Sequence, residues 1–330
     1  MKWVAVFLAG LVTGVVGMWG MNRIGVRDQG LEIAGRGVAE KPLEKYRVES
    51  LGGRRSEAGV IQLGEVEAIE GAVRVQNFSF TTEGKKVTGL AHIPVGCSET
   101  AKCPVIVQFR GYADVEGYYS GFGTRRSAQK YAEAGFISLA PDFLGYGGSD
   151  MPSGNIFEER FQRYTTGLDL LASVGGWPFA DGEKIGIWGH SNGGQVALTV
   201  LEATKRPYAT TLWAPVTAAF PYSILYYTNE ATDGGKLLRR ELANFERDYD
   251  TDQFNLLNYL DRVVAPVQIH QGTADESVPV EWNRDLVRRM QEDGEAGNGV
   301  TYYEYTGADH NLVPSWSIVV ERDINFFINI

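Results

Sequence analysis

The five residues Gly189-His190-Ser191-Asn192-Gly193 restrict the fold of this chain more than any other stretch. They fit Gly-x-Ser-x-Gly, a pattern in which a serine sits on a sharp turn between a strand and a helix. The flanks supply both elements. Residues 184–188, Lys-Ile-Gly-Ile-Trp, read as a short buried strand, and residues 194–201, Gly-Gln-Val-Ala-Leu-Thr-Val-Leu, read as the start of a helix. Glycine is needed at both ends of the pentapeptide, because a side chain there would collide with crossing backbone. In that setting the Ser191 oxygen projects above the sheet edge. The N–H of Asn192, at the helix start, can face negative charge developing on a bound carbonyl. With 40 glycines among 330 residues, such a pentapeptide also arises by chance. The weight therefore falls on its context.

Strand patterns begin at residue 73. Residues 73–80 alternate apolar and polar, 83–86 read as a turn, and 87–93 form a second strand. Residues 105–109, Val-Ile-Val-Gln-Phe, suit a central strand covered on both faces. Further strands are expected at 136–140, 185–188, 210–213, 267–270 and 300–305. Helical patterns fall between the later ones. Phe157, Phe161, Tyr164, Leu168 and Leu171 recur on one helical face, in a helix expected to end at Gly175-Gly176. Pro279 stands where a first-turn proline would start a helix through Leu286. This alternation predicts an α/β-hydrolase fold: about eight strands, mostly parallel, with helices on both faces. The first two strands, joined by a tight turn, must be antiparallel. Residues 216–262 interrupt the alternation and read as a small helical cap or as a long helical crossover. Residues 23–72, Gly-rich and charged, read as a linker and irregular N-terminal arm before a catalytic domain at 73–330.

A serine hydroxyl needs a base within hydrogen-bond reach and a group to orient that base. In this fold the chain order is Ser, acid, His. Among four histidines, His92 and His270 fall in strands and read as hydrogen-bonded structural residues. His190 precedes the serine and should point away from it. His310, in the loop after the last strand, is last in order and at the strand end where sites in open α/β sheets assemble. Asp275, in the loop after the strand at 267–270, is the expected acid, with Glu276 beside it as a substitute. Asp309 is too close in sequence to orient the His310 ring. The loop after residues 105–109 should offer a second oxyanion donor. Gly111 permits the turn there, and the Tyr112 N–H is the candidate, while Arg110 is expected to hold the loop by a salt bridge.

The net charge is −10, and residues 1–22 carry only Lys2, which leaves the rest at −11. That balance speaks against nucleic acid as a partner. Residues 3–21 lack any charge, which suits a membrane helix acting as a signal anchor or, alternatively, a cleaved signal peptide. Cys97 and Cys103 flank a polar loop with no His or third Cys near them, so no metal site is expected. They suit a disulfide in an oxidising compartment, or else two free thiols. Together these features favour a domain outside the cytoplasm, membrane-anchored or secreted.

Residues 73–330 resemble the catalytic domain of the prolyl oligopeptidase family and its dienelactone-hydrolase-like relatives. The matching stretches are 105–112, APDFLGYGGSD at 140–150, KIGIWGHSNGGQVAL at 184–198, APVQIHQGTADESVPV at 265–280 and TGADHNL at 306–312. The resemblance implies cofactor-free, serine-dependent cleavage of an acyl bond in a small ester or short peptide. Peptidases of the family usually carry a β-propeller where this chain has about 70 residues. Their glutamates that bind a peptide N-terminus cannot be transferred to Glu158-Glu159, which read as solvated helix positions. These departures shift the expectation towards a carboxylesterase, with a serine peptidase as the alternative. A silent binding protein on the same fold is a third reading, opposed by the complete Ser-Asp-His set.

Overall fold

A computed structural model describes residues 41–56, 58–292 and 299–329. The membrane or signal segment expected at 1–22 lies outside them. Among the described residues no helix is long and apolar enough to cross a membrane. The strands are β1 (Gln62–Glu70), β2 (Val73–Thr82), β3 (Lys85–Pro94), β4 (Cys103–Phe109), β5 (Ile137–Pro141), β6 (Ala180–His190), β7 (Ala209–Trp213), β8 (Val267–Gly272) and β9 (Val300–Tyr305). They form one sheet in the order β1-β2-β3-β5-β4-β6-β7-β8-β9. β1, β2, β3 and β5 pair antiparallel, and β5, β4, β6, β7, β8 and β9 run parallel. This is the α/β-hydrolase fold. The apolar run at 105–109 lies in the middle of the sheet and is buried throughout, as covered parallel strands must be.

Helices α1 (Val48–Gly53), α3 (Ile156–Gly175) and α4 (Asn192–Thr204) lie on one side of the sheet, and α2 (Arg125–Glu133) and α8 (Trp316–Phe327) on the other. The large core beneath α3 and α4 gathers Phe109, Phe161, Leu168, Ile187 and Val200. A smaller one beneath α2 and α8 gathers Ile106, Tyr131, Trp188, Trp213 and Phe327. α3 follows its sequence signals: the Asn155 side chain accepts from the N–H groups of Phe157 and Glu158, and Gly176 is the C-cap. The predicted apolar stripe from Phe157 to Leu171 is buried. α7 (Val280–Glu292) starts just after Pro279.

Three expectations need correction. The sheet has nine strands, because β1 adds an outer strand to β2. The segment at 41–72 is accordingly not irregular. It also forms a 3-10 turn (Pro42–Tyr46) and α1, and it is tied to α3. Arg54 makes a two-pronged bond to Asp169 at 2.5 and 2.8 Å, and the Tyr46 hydroxyl donates to Glu158 at 3.1 Å. Glu158 is thus not simply solvated, since Lys45 and Ser153 also reach it. The stretch at 216–262 combines both readings. It forms α5 (Tyr222–Leu225) and α6 (Lys236–Asp248) and then 3-10 turns. Its first part meets the end of β8, where the Tyr227 hydroxyl donates to the Ser277 carbonyl at 3.1 Å. Its later part runs back along the helices: Phe254 stacks on Phe161 of α3 at 5.2 Å, and Arg262 donates to the Glu202 carbonyl of α4 at 2.8 Å.

Candidate active site

The sheet order reverses beside β4, whose neighbours β5 and β6 are reached by crossovers in opposite directions. A crevice opens at such a point beyond the carboxyl ends of the strands. The loops after β4, β6, β8 and β9 all reach it.

After β6 the chain turns abruptly. Ser191 has φ 55° and ψ −119° and is the N-cap of α4. That conformation is costly for a side-chain-bearing residue, on the order of 1–3 kcal/mol. Its surroundings impose it. The Ser191 N–H donates to the Trp213 carbonyl at 2.9 Å, and its own carbonyl accepts from Gly194 and Val216, each at 3.0 Å. Both pattern glycines are required by close approach. A Cβ at Gly189 would stand 2.7 Å from the Gly193 carbonyl oxygen, and one at Gly193 would run into the Phe109 carbonyl. The Asn192 N–H opens α4.

The loop after β4 passes beside this turn. A Cβ at Gly111 would lie 3.0 Å from the Ser191 Cβ, so Tyr112 follows the point of closest approach. Arg110 is buried and fixes the loop, though not by the salt bridge anticipated. Its guanidinium donates to the Gly111 and Asp142 carbonyls at 2.8 and 2.9 Å and lies over the Tyr146 ring at 4.1 Å. Tyr146 in turn donates to the Ala113 carbonyl at 2.8 Å.

The loops after β8 and β9 bring Asp275 and His310 together. His310 Nδ1 lies 2.9 Å from Asp275 Oδ2. The other oxygen, Oδ1, accepts from the Ser277 and Val278 N–H groups at 2.8 and 2.9 Å. Burial by itself raises the Asp275 pKa. The His310 bond and charge and the two N–H groups outweigh it and hold the carboxyl below its usual range. The alternatives are not in this pairing. Glu276 is exposed. Asp309 accepts from the Asn311 and Val313 N–H groups, both at 2.9 Å, and so shapes the loop that carries His310.

His190 lies beside this pair: its ring is 4.7 Å from the His310 ring, and its Nε2 is 3.0 Å from the His310 carbonyl oxygen. Burial and the neighbouring His310 lower its pKa to about 3, so it is neutral near pH 7. On the α2 and α8 side of His190 a cavity of about 550 Å³ is lined by Trp188, Trp213, Trp316, Arg126 and Asn311, among others.

Sequence reading missed what holds Asp275. Gln271 donates to its Oδ2 at 3.0 Å, Asn283 of α7 donates to Gln271 at 2.6 Å, and Thr217 donates to Asn283 at 2.9 Å. Gln271 and Asn283 are fully buried. Polar residues inside the apolar run of β8 were the available signal. Of the two strand histidines, His270 is hydrogen-bonded as expected, to Tyr305 at 2.7 Å and Asp323 at 3.0 Å. His92 is not. It is buried, and among the described residues neither ring nitrogen has a partner. Burial, with a smaller contribution from the Arg125 charge, lowers its pKa to about 4.

Comparison with known proteins bears on this geometry. The sequence model of the prolyl oligopeptidase family matches residues 123–328. A Schizosaccharomyces pombe protein provisionally named a dipeptidyl aminopeptidase is 26% identical over 147 residues, or 44% of this chain. That match spans only 16% of the yeast protein's length. Among solved structures, an acetyl xylan esterase from Paenibacillus sp. R4 superposes with a TM-score of 0.64 at 19% identity, covering 86% of this chain and 93% of its own. Acetyl xylan esterase 1 from Thermoanaerobacterium sp. JW/SL YS485 gives 0.58 at 17% identity, covering 88% and 93%.

Proposed function

This chain belongs to the prolyl oligopeptidase family and is a serine hydrolase, and from that premise we propose that Ser191, His310 and Asp275 cleave an acyl bond through an acyl-enzyme. The observation that carries this reading is the 2.9 Å contact of His310 Nδ1 with a buried Asp275 carboxylate, beside the strained turn of Ser191. Asp275 accepts a hydrogen bond from the His310 Nδ1–H, which leaves Nε2 as the basic nitrogen. As Ser191 Oγ attacks the acyl carbon, His310 takes the hydroxyl proton and then delivers it to the leaving group. Water repeats the sequence on the acyl-enzyme. Charge on the carbonyl oxygen falls to the N–H groups of Asn192 and Tyr112, and removing one such donor typically costs about 100- to 1000-fold in turnover. Neutral His190 adds no charge against the imidazolium that forms on His310.

The substrate we propose is a carboxylic ester. The near-complete overlap with two acetyl xylan esterases, 86–88% of this chain, supports it. A peptidase is the second reading, favoured by the family and by the yeast relative. Turnover of short p-nitrophenyl esters against prolyl- and alanyl-aminoacyl amides separates the two. Ester cleavage with little amide cleavage is expected, and preferred cleavage of the amides would overturn the esterase reading.

We also propose that the domain works outside the cytoplasm, anchored or released through the segment at 1–22. The Cys97–Cys103 disulfide, which closes the loop before β4, supports an oxidising compartment. Denatured, unreduced protein should show no reactive thiol; two would contradict this.

A further inference from the structure

Arg163 reaches the residue next to Ser191, Arg160 stands one turn before it on the same helix, and neither has a role in the acyl chemistry. α3 follows β5, so its first turns lie at the carboxyl edge of the sheet, next to the α4 N-terminus. Arg160 and Arg163 are three residues apart and share a helical face. Arg163 Nη1 donates to the Asn192 side chain at 3.3 Å, and Asn192 is the residue directly after Ser191. Arg163 also lies within electrostatic reach of Tyr112 in the oxyanion loop, and Arg160 within reach of Tyr227 in the cap. The two guanidiniums therefore lie among the elbow, the oxyanion loop and the cap, where a bound substrate must lie.

Their charge is poorly compensated. Among the described residues neither Arg160 nor Arg163 is in a salt bridge. Several other arginines face a carboxylate, Arg54 with Asp169, Arg284 with Glu304 and Arg288 with Asp285, while Arg262 donates to a backbone carbonyl. The carboxylate whose charge acts on both is Glu159, and it is exposed. Arg110, the next cation, satisfies carbonyls rather than a carboxylate. Both guanidiniums are partly buried, and burial, together with neighbouring arginine charges, holds both below the usual arginine range, Arg160 at about 10. They nevertheless remain charged near pH 7. Two adjacent, partly desolvated cations without an anion of their own gain most from an anion supplied by the ligand, and the planar guanidinium fork suits a carboxylate.

We propose that Arg163 and Arg160 form a cationic subsite next to Ser191 that selects esters bearing a carboxylate close to the scissile bond. The proposal rests on the reading of Ser191 as the nucleophile. It makes the substrate a half-ester of a dicarboxylic acid, or an ester whose leaving group is acidic.

The test compares esters matched in size. p-Nitrophenyl hemisuccinate against p-nitrophenyl butyrate places the anion in the acyl group. 4-Carboxyphenyl acetate against phenyl acetate places it in the leaving group. In at least one pair kcat/KM should favour the anionic ester by about tenfold or more, after correction for uncatalysed rates. Arg163→Gln and, separately, Arg160→Gln should shrink that ratio towards one, and 0.5 M salt should weaken it. A ratio within one preparation does not depend on the fraction of folded enzyme. A purely structural role for Arg163 would lower both members of a pair equally. Equal turnover of both members in both pairs, or a preference untouched by both substitutions, would overturn the subsite and leave serine hydrolysis standing. Turnover of none of the four esters would overturn the ester reading as well.

Discussion

The molecule contains two histidine–carboxylate pairs of nearly the same length. His310 and Asp275 meet at 2.9 Å, and His270 and Asp323 at 3.0 Å. Their surroundings differ completely. Asp323 is fully buried and also accepts from Tyr131, Thr211, Trp213 and Gln268, while the other nitrogen of His270 meets Tyr305. That pair is saturated and joins α8 to β7, β8 and α2. In the other pair the carboxylate is equally buried, but the His310 side chain is 19% exposed, and its ring stands 4.7 Å from that of His190, the residue before Ser191. A short contact between a histidine and a carboxylate does not by itself define a site. A free nitrogen, access and a neighbouring nucleophile do.

The comparison can be broken by matched substitutions. Asp275→Asn should lower kcat by about 10⁴-fold, through loss of the correct His310 tautomer, and should cost only about 1–3 kcal/mol of stability, since the amide keeps one acceptor oxygen for the surrounding donors. Steady-state rates and denaturant unfolding of one preparation check both halves. Asp323→Ala should do the reverse. It strips five buried donors of their acceptor and should cost about 3–5 kcal/mol in denaturant unfolding, with kcat per folded molecule nearly kept. A catalytic collapse in folded Asp323→Ala protein would erase the distinction.

His92 sharpens the same point, as a buried histidine with no hydrogen-bond partner among the described residues. Its folded pKa of about 4 lies below the ordinary 6.5, so the unfolded chain takes up the proton first. Its contribution to stability is full above about pH 6.5, falls as pH drops towards 4 and is level below that, up to about 3 kcal/mol in all. Unfolding free energies of wild type and His92→Leu, measured from pH 7 to 4, should therefore diverge, with the variant losing less. Parallel curves would contradict this. The smallest effect is expected at Gln271, which steadies Asp275 from behind. Gln271→Leu should lower kcat about tenfold with KM little changed.

The middle of the sheet was legible in the sequence because β4 and β5 are covered on both faces and read as apolar runs. β1 was hidden for the opposite reason. Nearly all of its side chains are exposed, so the short alternation Glu65-Val66-Glu67-Ala68 marks no buried face, and the strand is recognised only through its pairing with β2. Ser191, Asp275 and His310 could be singled out because chain order and strand ends limit where each can stand. The Thr217–Asn283–Gln271 chain could not, since nothing local joins residues that far apart. Arg110 shows the same limit: its positive charge suggested an ion pair, while the fold supplied carbonyls and aromatic rings.

The most direct test of the account is active-site labelling. A fluorophosphonate probe added to folded protein should modify one residue, mapped by peptide mass to Ser191, in step with loss of ester turnover. Ser191→Ala should take no label and lose turnover. Label on another residue, or ester turnover persisting in Ser191→Ala, would contradict it.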